Sequence, residues 1–314
     1  MHFCSVKDEA TKTNKTNLLI DALILSGEWH IDPLWGLQML NRYLHQVELR
    51  NSGVPYSELG LSKMREQSKA KVLTPKGNLI DFPLDPFSEV KIPKGSIAKI
   101  SLNGVMTTND GLCHHGALTL AEQIRQADDN ENLDGVYLEV FSGGGEGMAG
   151  QIINSAFQEL KKPSVAHLHF SGSAAVLATL NVDERIGSSV ATKVGSIGSY
   201  YSLDKRFLEF YKENVVDVYS KKSEDKNLPF REALEGNFEL LEEMATRDDE
   251  MFMAQVRKAL NLKGNTKQVK ETLRGGMFPA KEAKQRGLID SIGGTNYALS
   301  RLQSYIKFKK KKNK

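Results

Sequence analysis

Two short glycine- and serine-rich stretches hold the residue types that acyl transfer requires. Ser142-Gly143-Gly144-Gly145 follows an apolar run, Gly135 to Val140, and precedes a helical pattern that starts near Gly147. Glycines that close a strand let the chain turn sharply and leave backbone N–H groups open to close approach. The stretch therefore suits an oxyanion or phosphate cradle at a helix start, or simply a tight turn. It has neither the Lys-Ser/Thr ending of a P-loop nor the spacing of a dinucleotide fingerprint, so phosphate binding ranks well behind. A second apolar run, Val165 to Phe170, leads into Ser171-Gly172-Ser173 and the small residues Ala174 and Ala175. A serine there can present its hydroxyl to the same crevice, with the N–H of the next residue as a second oxyanion donor. The open approach behind Ser173 favours it over Ser171, although both also suit a helix N-cap.

A serine nucleophile needs a base. All seven histidines (His2, His30, His45, His114, His115, His167 and His169) precede Ser173, which excludes a serine-then-histidine order. His167 and His169 fall on one face of a strand, but no third ligand of suitable spacing accompanies them, and they read as strand residues with no metal. A downstream lysine remains, and an amine accepts a proton near neutral pH only when burial pulls its pKa down from about 10.4. Cys4 and Cys113 are too far apart to suggest a disulfide framework or a zinc site, which points to a reduced cytoplasmic setting. No cofactor is implied.

The elements that must position these residues follow from periodicity. Two successive strand, turn, helix units imply an α/β fold with parallel strands. The strand that opens the compact part is expected at Gly95 to Val105. In the helix from Gly147, the spacing of Met148, Ile152, Ala156 and Leu160, with Ile153 and Phe157 flanking them, predicts the stripe that packs on the sheet. Residues 1–45 look helical, with Leu34, Leu37, Leu40 and Leu44 in register. Residues 50–94 contain five prolines and read as a linker or irregular arm. A long charged helix is expected from Pro229 to about Leu260, broken near Gly236, and suits an arm or an oligomer contact. The division expected is thus 1–94, a helical arm and linker; 95–300, the main domain; and 301–314, a basic tail.

Charge and hydropathy exclude further classes. The net charge of +3 is less than the charge of the closing lysines alone (Lys307, Lys309 to Lys312 and Lys314), so the body is nearly neutral and any nucleic-acid role rests on the tail. The apolar stretch Leu18 to Leu25 is far short of the roughly 20 residues that span a bilayer. No small-residue cleavage site follows it before Glu28, so neither a membrane anchor nor a leader is expected.

Residues 95–295 resemble the catalytic domain shared by signal peptide peptidase A and the phage prohead proteases. Val140-Phe-Ser-Gly-Gly-Gly145 is similar to that family's Asp-Ser-Pro-Gly-Gly turn, with Gly143 in place of the proline. Phe170-Ser-Gly-Ser-Ala-Ala-Val-Leu-Ala178 resembles its nucleophile segment, and Val194-Gly-Ser-Ile-Gly198 its Thr-Gly-Ser-Ile-Gly segment. Tyr219 to Arg231 resembles the lysine segment, and Phe278 to Gly293 the terminal signature. The resemblance implies a Clp/crotonase-like ββα superhelix with helical N- and C-terminal extensions, and a serine endopeptidase with a Ser–Lys dyad. Ser173 takes the nucleophile position, whereas an ungapped match would place Ala174 there. Lys226 takes the base position, with Lys222 the alternative. Ser196 orients the amine, and the N–H groups of Gly145 and Ala174 form the oxyanion hole.

Without an anchor, the resemblance favours capsid maturation in an assembling prohead over a cellular signal-peptide role, with capsid or scaffold polypeptides as substrates and a homo-oligomeric ring or bowl as the assembly. The other readings are an inactive assembly protein of the same fold and a crotonase-type acyl-CoA enzyme, in which Glu146 would be the acid residue. The basic tail lies beyond the last signature. Truncation after Ile306 is expected to leave hydrolysis of a short peptide unchanged in a fluorogenic assay.

Overall fold

The structure is a computed structural model that describes residues 27–31, 69–83, 90–110 and 115–312. The chain forms two compact units, one built around Tyr200–Arg247 and the other from Trp29–Ser199 and Asp248–Lys314. Along the chain run β1 (Gly27–Ile31), β2 (Lys71–Leu73), β3 (Leu79–Asp81), β4 (Ser96–Asn103), α1 (Ala117–Asp129), β5 (Leu133–Ser142), β6 (Gly144–Gly145) and α2 (Gly147–Glu159). Next come β7 (Ser164–Gly172), α3 (Ala174–Ala178), β8 (Glu184–Gly187) and β9 (Lys193–Gly195). The unit around Tyr200–Arg247 contributes β10 (Tyr200–Ser202), α4 (Lys205–Asn214), α5 (Leu228–Leu234) and the start of α6 (Glu239–Ala259). The chain ends with α7 (Lys267–Thr272), β11 (Met277–Pro279), α8 (Ala280–Gln285), β12 (Ser291–Ile292) and α9 (Thr295–Lys312).

The sheet of the larger unit has the order β11-β9-β7-β5-β4-β2-β3, and β8 and β12 join it beside β7. Its centre is parallel: β4 pairs with β5, β5 with β7, and β7 with β8 and β9. The near-continuous burial of β4 and β5 is what a strand covered on both faces requires. On one face, α1, α2 and α3 pack Leu120, Ile124, Ile153, Phe157 and Leu177 against Ile100, Leu138 and Val140. On the other, Ala298, Leu302 and Ile306 of α9 cover Ile97, Tyr137, Val165 and Ile186. The mixed α/β class expected from the repeated strand, turn, helix units is the one observed.

Four expectations need correction. Residues 27–31 are a strand, not part of a helix, and the remainder of the helical reading of 1–45 lies outside the described residues, as do Leu18 to Leu25, Cys4 and Cys113. Residues 71–73 and 79–81, within the supposed linker, form a hairpin whose first strand extends the sheet antiparallel to β4, because Val72 is apolar enough to join the core. The buried face of α2 is Ala149, Ile153, Ala156 and Phe157, while Met148 stands 63% exposed. The helix turns its small residues inward because Gly150 lies against Ala174, where a Cβ would come within 2.7 Å of the Ala174 carbonyl oxygen. As far as Lys312, the basic tail continues α9: the Lys309 amine donates to the Lys161 carbonyl, and Lys310 pairs with Asp134 at 2.6 Å. The break expected at Gly236 is present between α5 and α6.

Leu302 is fully buried between α9 and the sheet. Leu302→Ala is expected to cost about 2–5 kcal/mol in denaturant unfolding. Lys310→Ala, at an exposed ion pair, should cost no more than about 1 kcal/mol.

Candidate active site

β5 and β7 are adjacent and parallel, with Ser142 in register with Ser171, so both glycine-serine turns lie at the carboxyl ends of neighbouring strands. Such ends are where open α/β sheets leave a crevice for ligands. The first turn is held tightly. Ser142 Oγ donates to the Gly104 carbonyl at 2.6 Å and accepts the Gly144 N–H at 3.2 Å. Met106 N–H donates to the Gly144 carbonyl at 2.9 Å, and Glu146 N–H donates to the Met106 carbonyl at 2.8 Å. A Cβ on Gly145 would lie 2.0 Å from the Met106 oxygen, so no other residue fits. Because Gly144 and Glu146 direct their bonds to Met106, strand alternation turns the Gly145 N–H and C=O to the opposite edge. Along that edge β1 runs antiparallel, with His30 opposite Gly145 and Ile31 opposite Gly144.

The second turn singles out one serine. Ser173 has φ 54° and ψ −118°, a conformation that L residues rarely hold, and it is 1% exposed. Its N–H donates to the Gly195 carbonyl at 2.8 Å. Its hydroxyl caps no helix amide and instead lies 3.3 Å from the Gly198 carbonyl, to which it donates. Ser171 sits within β7, its Oγ buried and without a hydrogen-bond partner among the described residues. Ala174, the position of an ungapped match, is the first residue of the buried α3.

Ser196 also has φ 54°, is buried, and follows Gly195, which pairs with Gly172. The parallel register thus carries Ser173 and Ser196 out of neighbouring strands at the same level. The peptide joining Gly198 and Ser199 is gripped at both ends: its carbonyl receives the Ser173 hydroxyl, and its N–H donates to Asp249 Oδ1 at 2.9 Å. Burial pushes the Asp249 carboxyl up, the Ser199 N–H opposes that rise, and the charge of Asp248 adds to it.

Gly145, Ser173, Ala174 and Ser196 therefore belong to one unit. Lys226 and Lys222 belong to the other and are exposed, in a turn where the Lys226 N–H bonds to the Ser223 carbonyl at 3.2 Å ahead of α5. Glu146, the acid residue of the acyl-CoA reading, uses Oε2 to accept both the N–H and the hydroxyl of Thr108, at 2.7 and 2.5 Å.

The fold also assembles a group that spacing along the chain does not reveal. Glu139 on β5 joins His167 and His169 on β7, their ligand atoms all within 4.8 Å of one another. The signal available was Glu139 at the middle of the neighbouring buried strand, which the parallel register places opposite His167. The group is internally satisfied. Lys99 Nζ lies 2.9 Å from Glu139, the Tyr137 hydroxyl 2.7 Å from His167 Nδ1, and His167 Nε2 3.0 Å from the Gly293 carbonyl. Burial pushes His167 down, which favours a neutral ring in a hydrogen-bonded strand position.

No protein-family model matches the chain. Among curated proteins it is similar to one from Methanocaldococcus jannaschii, provisionally named a protease, at 28% identity over 184 residues that cover 55% of this chain and 57% of that protein. It is also similar to one from Enterococcus faecium, provisionally named a signal peptide peptidase, at 25% identity over 244 residues, 72% of this chain and 69% of that protein. The chain thus spans little more than half the length of the archaeal relative. Solved structures similar to it include a ClpP1 mutant from Listeria monocytogenes (TM-score 0.42, 14% identity, 64% of this chain and 94% of that one). Another is a protein from Hyphomonas neptunium provisionally assigned to the enoyl-CoA hydratase/isomerase family (TM-score 0.39, 15% identity, 69% and 72%). The likeness to signal peptide peptidase A expected from the sequence motifs is therefore found among curated sequences.

The Asp249 carboxyl yields a pH-dependent prediction. A carboxyl raised in the folded state contributes stability at low pH that is lost as pH rises through the folded pKa. Asp249→Asn keeps an acceptor for the Ser199 N–H but removes the charge. It is expected to melt above the parent near pH 7, with the difference vanishing near pH 3 in calorimetric scans.

Proposed function

We propose that the chain is a serine peptidase in which Ser173 is the nucleophile and Lys226 the general base. The observation that carries this reading is the backbone of Ser173: a buried serine held at φ 54° at the carboxyl end of a parallel strand, its hydroxyl uncommitted to helix capping and set beside a glycine turn. Strain of this kind persists where surrounding structure enforces it and is concentrated at functional sites. The two curated relatives, provisionally named as peptidases, agree with it. The engagement of Glu146 with Thr108 speaks against the acyl-CoA alternative.

In the reaction, neutral Lys226, oriented by Ser196, takes the Ser173 proton as Oγ bonds to the peptide carbonyl carbon. The N–H groups of Gly145 and Ala174 receive the negative oxygen. The lysine ammonium then gives its proton to the departing amine, and water, deprotonated by the same lysine, releases the acyl group from Ser173. An amine does this only when desolvated, and Lys226 is exposed in the single chain. A homo-oligomer, as the family resemblance implies, together with a bound polypeptide, supplies the cover. Within that reading the finer role is capsid or scaffold processing in an assembling prohead, with a cellular signal-peptide-type role as the alternative. Among the described residues no helix is long and apolar enough to cross a membrane.

A serine-directed fluorophosphonate followed by mass mapping tests the assignment. Labelling is expected at Ser173, lost in Ser173→Ala and retained in Ser171→Ala. Lys226→Met should abolish peptide hydrolysis while Lys222→Met retains it. Labelling at another serine, or full activity in Lys226→Met, would reject the dyad.

A further inference from the structure

The edge of the glycine turn that faces away from Met106 is occupied by the chain itself. Met106 takes the hydrogen bonds of Gly144 and Glu146, which leaves the Gly145 N–H and C=O directed at β1. His30 is the residue opposite Gly145 in that antiparallel pair, so it is the partner for both groups. The Gly145 N–H is also the group to which the peptidase reading gives one half of the oxyanion hole. One donor cannot hold both the backbone of β1 and the oxygen of a tetrahedral intermediate at full strength.

We propose that Gly27–Ile31 is a tethered occupant of the peptide-binding edge at Gly144–Gly145, and that a substrate polypeptide must displace it to reach Ser173. The inference rests on the peptidase reading and names the ligand class of the edge: an extended polypeptide backbone, bound by strand addition, whose first occupant is supplied in cis. Three features support this. The pairing runs along the main chain, which offers the same bonds to any extended segment in the same direction. The two glycines present no side chains that would select against a foreign strand. The ladder between β1, the middle strand of the order β10-β1-β6, and the glycine edge is two residue pairs long, His30–Gly145 and Ile31–Gly144, so release from that edge breaks few hydrogen bonds. Covalent attachment makes the contact intramolecular, so β1 holds the edge at an effective concentration that an unlinked peptide has to overcome.

The test uses the full chain and His30→Pro, which removes the N–H that faces Gly145. Two quantities are measured: amide hydrogen exchange at Gly144–Gly145 and the rate of Ser173 labelling by a fluorophosphonate. In the unaltered chain the Gly145 amide is expected to be protected. In His30→Pro it should exchange about tenfold faster or more, and Ser173 labelling should accelerate several-fold. A synthetic peptide with the sequence of residues 25–35, added to His30→Pro, should slow labelling again, which a misfolded variant would not show. Equal exchange at Gly145 in both chains overturns the occupancy. Lost protection with unchanged labelling overturns the gating. Protection at Gly145 with no labelling of Ser173 in either chain rejects the peptidase reading itself, and the gating falls with it.

Discussion

The candidate site depends on one steric constraint, the contact between the Gly145 backbone and Met106. With a Cβ position only 2.0 Å from the Met106 oxygen, the turn after β5 closes solely with glycine there. That approach permits the two main-chain bonds that clamp Met106 between Gly144 and Glu146. Strand alternation then fixes the direction of the Gly145 N–H. A single missing methyl group thus decides where a backbone donor points.

The second turn is coupled to the first through packing. Gly150 on α2 lets the helix after the glycine turn approach the start of α3, against the backbone of Ala174. The register of β7 with β9 sets Ser173 and Ser196 side by side, both at positive φ. Two helices and three parallel strands therefore hold the small constellation, and α6 adds Asp249 beneath the peptide that receives the Ser173 hydroxyl. The cost of that arrangement is visible in two strained serines and a half-buried carboxyl whose charged form is disfavoured.

The lysine assignment poses the opposite problem. Ser173 is buried and built in, whereas Lys226 is exposed in a separate unit with Glu224 and Asp225 beside it in sequence. The chemistry proposed for it requires a desolvated amine, which its exposed position in the single chain does not supply. An assembly-dependent base would keep a peptidase silent until its partners and substrate are in place. Occupation of the glycine edge by β1 acts in the same direction, by a different physical route.

Much of this was legible in the residues. Apolar runs followed by glycine and serine identified β5, β7 and their turns, because a buried parallel strand and a sharp turn each demand a narrow set of side chains. The proposal of Ser173 over Ser171 started from the small residues behind it, and the absence of any later histidine directed the proposal to a lysine. Other features were decided only by tertiary structure. The burial of Ala149 instead of Met148 depends on how closely α2 meets α3, which no helical period encodes. The Glu139, His167 and His169 group exists because two strands far apart in sequence pair in one register, and the hold of Asp249 on the Ser199 amide needs α6 to return to the sheet. The strand at Gly27–Ile31 was read as helix because the helical spacing of Leu34, Leu37, Leu40 and Leu44 was extended over residues 1–45. The open edge of the glycine turn supplies backbone partners on one side of it, in a sheet of order β10-β1-β6.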